Sequence, residues 1–74
     1  MAYKQKITLK IALKQYIDKF PKWLSKGNLE SKAQQLGFLA DTGARRLREL
    51  AEDGLIMRKI EGKGRSKIVW YKRI

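Results

Sequence analysis

The chain predicts an α+β fold, with three helices followed by a C-terminal β-hairpin. Three observations carry this expectation. Apolar residues recur at helical spacing from Leu9 to Phe20. Two further helical segments each end at a glycine. Two β-rich runs flank the glycine-bearing stretch EGKGRS. With 74 residues the chain makes a single domain, 1–74, and a small one. A chain of that length buries only about 60% of the surface its unfolded form exposes.

The first helix is expected over about residues 8–20. Thr8 can cap it, because its hydroxyl can accept an orphan backbone N–H. Leu9, Ala12, Leu13, Tyr16, Ile17 and Phe20 then form one apolar stripe, with Lys10, Lys14, Asp18 and Lys22 on the opposite face. Ile11 falls outside the stripe, as an exposed residue or part of a self-association patch. Pro21 lacks an N–H and disfavours helix at Phe20, so the helix is expected to end or kink there. KWLSKGNL is a connection with room for a short strand. Asn28 can cap a second helix in which Leu29, Ala33 and Leu36 share one side, and Gly37 terminates it.

The third helix lies within FLADTGARRLRELAEDG and buries Ala44, Leu47, Leu50 and Ala51, with Gly54 as its terminator. Two starts are open. Asp41 can cap the helix, or the helix begins at Leu39 and Asp41 complements its positive end. The two helices together cover about residues 29–53. LIMRKI and KIVWYKR then pair as a hairpin over about residues 55–73, with a loop longer than two residues.

Composition narrows the function classes. Eighteen basic against seven acidic residues give a net charge of +11. A small domain needs a magnitude of only about 2–8 for solubility, so the surplus favours a polyanionic partner. Both ends supply it. Residues 1–26 carry seven lysines against one acid, and residues 55–74 carry seven basic residues against one acid. Cysteine and histidine are absent, which removes disulfides, thiolate metal sites and the commonest general base. Ser25, Ser31 and Ser66 have no histidine to activate them and no carboxylate pair stands out, so an enzyme is not expected. Neither is a cofactor, a metal or a small-molecule ligand. No apolar run is long enough to span a membrane, and lysines interrupt any N-terminal h-region. An intracellular location is expected, in cytoplasm, nucleoid or host-cell cytoplasm.

The order and spacing of these elements resemble the winged helix-turn-helix family of DNA-binding domains. Ala33 and Leu36-Gly37 match its first motif helix. Thr42, Arg46, Leu47 and Leu50 match the second. Gly54-Leu55-Ile56 is similar to the family's exit into the wing, and Val69-x-Tyr71 to its returning strand. The match runs from Leu29 to Tyr71, more than half the chain. It departs at Phe38-Leu39-Ala40, where the family usually carries a small polar residue. The start of the second motif helix is therefore open by about two residues.

The resemblance implies a second motif helix in the major groove of double-stranded DNA, a sequence-specific mode suited to a small transcriptional regulator. With Ala44, Leu47 and Ala51 inward, Thr42, Arg45, Arg46 and Glu49 face the partner, and Arg48 lies at the edge. The spacings Arg45–Glu49, Arg46–Glu49 and Arg48–Glu52 would equally suit a solvated helix laced with ion pairs. Arg45 and Arg46 share one acid and lean to DNA, while Arg48 leans to Glu52. In the hairpin, Lys63, Arg65 and Lys67 surround two glycines and suit contact with phosphates or the minor groove. Trp70 and Tyr71 alternate faces on the last strand; at least one belongs to the core, and the other packs in the core or hairpin or stacks on a base. Lys4, Lys6, Lys10 and Lys14 form a second basic region. Ser31, near the expected start of the first motif helix, is a candidate phosphate contact opposed by Glu30. A monomer or weak dimer on DNA is expected. RNA or non-specific nucleic-acid binding, and a protein-interaction module, remain alternatives on the same fold. The sequence offers no clear aromatic platform for unpaired strands.

Overall fold

Leu9, Leu13 and Ile17 fall one helical turn apart, and all three are fully buried. They form the inner stripe of α1, Ala2–Asp18, in a computed structural model that describes the backbone of residues 2–74 and the side chains of residues 9–74. The helix starts earlier than Thr8, which lies inside it. Alanine, lysine and glutamine around that point are good helix formers and allow the extension. It ends two residues before Phe20. Lys19 and Phe20 donate to the Tyr16 and Ile17 carbonyls in a tightened last turn, and the residue before Pro21 cannot continue the helix. The rings of Tyr16 and Phe20 meet edge to face with centroids 5.1 Å apart.

A two-residue strand follows, β1, Leu24–Ser25. Helix α2 covers Lys26–Gln35. Ser25, not Asn28, is its N-cap, and its hydroxyl accepts the Asn28 N–H at 3.1 Å. Asn28 instead sits in the first turn. Leu29 and Ala33 are buried as expected, but Leu36 is 41% exposed because it has become the C-cap. The chain then reverses at Gly37, whose φ is 92°. The Phe38 N–H reaches the Ala33 carbonyl and the Gly37 N–H the Gln34 carbonyl, the paired bonds of a Schellman turn.

Helix α3 spans Ala40–Glu52 with Leu39 at the N-cap position, which decides between the two open starts. Leu39 supplies no side-chain cap; Asp41 lies in the first turn and complements the helix dipole. The exit repeats the Schellman geometry at Gly54, with Leu55 N–H on the Leu50 carbonyl. Strand β2, Ile56–Glu61, a single 3-10 turn at Gly64–Ser66, and β3, Ile68–Arg73, complete the hairpin. The described residues thus form an antiparallel three-stranded sheet in the order β1-β3-β2 beside three helices, a winged helix-turn-helix layout. Leu24 pairs with Tyr71, and Ile56 with Arg73. Leu24, Ile56 and Tyr71 point toward the helices and join Leu9, Leu13, Ile17, Leu29, Ala33, Leu47 and Leu50 in one core. No helix among the described residues is long and apolar enough to cross a membrane.

The buried line of α3 differs from the expected one by one residue. Gly43, Leu47 and Leu50 are buried, while Ala44 and Ala51 are half-buried. A Cβ built on Gly43 would lie 2.7 Å from the Ala33 Cβ of α2. Glycine therefore allows α2 and α3 to pack closely on that side, and the whole helix is turned accordingly.

Candidate nucleic-acid interface

That rotation decides which arginines α3 presents. Successive residues advance by about 100° around the axis. With Gly43 inward, Asp41, Arg45, Arg48 and Glu52 form the exposed face. Arg46 turns in and is only 6% exposed. Its guanidinium lies 3.4 Å from a Glu49 carboxylate oxygen, and its Nε has no acceptor. This corrects the expected pairing of Arg45 with Arg46. The partner of Arg45 on the open face is Arg48, and Arg46 is a buried flank.

The acids are redistributed as well. Glu49 takes Arg46 at 3.4 Å and Lys10 of α1 at 4.0 Å, so it faces α1 rather than a partner. Asp53 binds Lys10 at 2.8 Å. The expected Arg48–Glu52 pair does not form. Among the described residues, Arg45 and Arg48 have no ion pair at all. Lys26, the first residue of α2, joins them. An open groove of about 300 Å³ is lined by Lys26, Asp41, Ala44, Arg45 and Arg48. Three cations against one carboxylate give it a positive balance. Thr42 is half-buried at the side of this face.

Ser31 does not lie at a helix start. Because α2 begins at Lys26, Ser31 is exposed in the second turn, and its N–H belongs to the helix ladder. The unpaired N–H groups of a helix belong to its first turn. Here that turn carries Lys26 and no acid, and Glu30 lies beyond it. Lys63, Arg65 and Lys67 are all exposed around the 3-10 turn. Six paired residues per strand carry that tip roughly 17 Å from the start of the hairpin.

Lys10 and Lys14 are engaged with Asp53 and Asp18, each at 2.8 Å; the side chains of Lys4, Lys6 and Thr8 lie outside the described residues. Ile11 is 52% exposed and lines an apolar groove of about 200 Å³ with Leu50, Leu55 and the stems of Lys10 and Lys14.

One cluster went unread in the sequence. Trp23 precedes β1 and is half-buried on the sheet face that the helices leave open. The Lys59 ammonium lies 4.4 Å from its ring centroid and that of Lys72 5.9 Å. The signal was present as alternation: Lys59, Trp70 and Lys72 all fall on the same side of β2 and β3 once the register is known. Comparisons with protein-family models, curated proteins and solved structures gave no match, so only the geometry of these side chains speaks to function.

Proposed function

We propose that this protein is a winged helix-turn-helix domain that binds double-stranded DNA sequence-specifically, as a small transcriptional regulator in a DNA-containing intracellular compartment. The observation that carries this is the pair Arg45 and Arg48 on the open face of α3, without ion pairs among the described residues and flanked by Lys26. A helix that needed only solubility would spend Glu49 on these arginines. Here Glu49 is turned toward Lys10 and Arg46 instead.

Helix α3 lies in the major groove, where an exposed arginine donates two parallel hydrogen bonds to guanine O6 and N7. Lys26 takes a phosphate at the groove edge. Thr42, at the side of the same face, reaches a phosphate or a thymine methyl. Lys63, Arg65 and Lys67 lay the wing along the backbone or across the minor groove, whose width arginine reads. Glu49 ties α3 to Lys10 of α1, Arg46 is buried beside Glu49 on α3 itself, and neither touches a base. The bound form is a monomer or a weak dimer.

Selection from a pool of random duplexes tests this. The expected result is an enriched motif whose preference weakens when Arg45 or Arg48 is replaced by alanine. A pool that shows no enrichment would remove the sequence-specific function.

A further inference from the structure

We infer that the outer face of the sheet is a second nucleic-acid surface, one that takes an unpaired strand by stacking a base on Trp23 while Lys59 and Lys72 hold its phosphates. It does not rest on the duplex function proposed for α3. The core fills the inner face, where Leu24, Ile56 and Tyr71 meet the helices. Side chains alternate along a strand, so the residues between them point outward. Trp23 and Ser25 flank Leu24. Lys59 pairs with Trp70, and Lys72 with Met57, on the same outer side. The result is Trp23 at the entry to β1 and Lys59, Trp70 and Lys72 on β2 and β3, on the sheet face away from the helices.

The placement of the two ammonium groups points to an anion. Both lie within 6.0 Å of one ring centroid, and like charges brought together repel. A single acid, Glu61, sits 3.6 Å from Lys59; Lys72 has no acidic partner among the described residues. A ligand that brings negative charge relieves this repulsion by drawing the ammonium groups off the ring they cover, and one that also brings a flat π-face stacks on the ring so freed. An unpaired strand offers both. In a duplex the bases are already stacked on one another, so only the phosphates would be used. An acidic peptide would likewise engage the lysines alone. Stacking on a half-buried indole such as that of Trp23 is sequence-tolerant, because every base has a π-face.

The test is binding of labelled oligo(dT) and oligo(U), each about twelve nucleotides long, at one fixed low salt concentration. The variants are Trp23→Ala, Trp23→Phe and Lys59→Gln/Lys72→Gln, with thermal unfolding recorded for each. Trp23→Ala is expected to weaken strand binding about tenfold and leave duplex affinity within about twofold of wild type. Trp23→Phe restores most of the loss, which a merely structural role of the indole would not require. The lysine pair leaves the ring in place and keeps the test valid if Trp23→Ala is unfolded. Its salt slope should flatten by about 0.7 for each phosphate contact removed. Preference for one oligonucleotide assigns the strand as DNA or RNA, and either is consistent provided Trp23 matters. The proposal is overturned by three results: no binding of either strand, strand binding indifferent to Trp23 and to the lysine pair, or equal losses for strand and duplex. Losses confined to duplex binding in Arg45 and Arg48 variants would leave it standing.

Discussion

Gly43→Ala isolates the contact that orients α3. Within a helix, alanine is favoured over glycine by about 1 kcal/mol, and a helix considered alone would be stabilised by the change. The structure reverses the sign. The added Cβ would lie 2.7 Å from the Ala33 Cβ and 3.9 Å from the Glu30 Cα. Carbon atoms prefer about 3.5–4.0 Å, so the second contact is ordinary and the first requires α2 and α3 to part by about 1 Å. Overpacking of that kind costs about 1–3 kcal/mol. After the propensity gain, a net loss of about 1 kcal/mol remains. In a domain of this size that lowers Tm by about 4–8 °C. Far-ultraviolet circular dichroism on heating reads it. The double change Ala33→Gly/Gly43→Ala removes the clash, so its loss should fall short of the two single losses added together. A higher Tm for Gly43→Ala, with no coupling to position 33, would refute the close approach and with it the stated cause of the α3 rotation.

Other perturbations follow from the same geometry. Ser25→Ala removes the hydroxyl that accepts the Asn28 N–H and should cost about 1 kcal/mol in urea unfolding; Asn28→Ala should cost clearly less, because Asn28 is not the cap. Leu13→Ala opens a cavity at a fully buried site, and a loss of about 2–5 kcal/mol should leave much of the population unfolded near room temperature by circular dichroism. Arg46→Met keeps the stem but removes a buried charge held by one 3.4 Å contact. Its stability should stay within about 1 kcal/mol of wild type or rise, with duplex affinity within about twofold. A loss of duplex affinity as large as that of Arg45→Ala would mean that Arg46 reaches DNA.

What could be read from the sequence was local. The stripe of Leu9, Leu13 and Ile17, the terminators Gly37 and Gly54, and the two β-rich runs each declare themselves within a few residues. Together they fixed the order of the elements. What could not be read depends on contacts between elements. The apolar pattern of α3 fits Ala44 or Gly43 inward almost equally well; the fit against Ala33 of α2 selects Gly43. That choice exchanged Arg46 for Arg48 on the open face. The acids beside the arginines were visible in sequence, but Lys10, some forty residues away, decides how Glu49 and Asp53 are used. The cap of α2 moved from Asn28 to Ser25 because pairing of Leu24 and Ser25 with β3 brings the strand to the helix start. Trp23 precedes β1 while Lys59 and Lys72 lie on β2 and β3, and the three share a face only after the sheet forms.

Among the described side chains, Arg45 and Arg48 form the centre of the proposed duplex surface, and a charge-matched comparison tests that centre directly. Arg45→Ala/Arg48→Ala and Lys19→Ala/Lys22→Ala each remove two positive charges from exposed positions. Duplex affinity is measured for both against the selected motif at one salt concentration. A guanine-contacting arginine contributes about 1–3 kcal/mol, so the arginine pair should lower affinity at least about tenfold more than the lysine pair. Equal losses would mean that duplex binding follows net charge alone and that α3 does not read DNA.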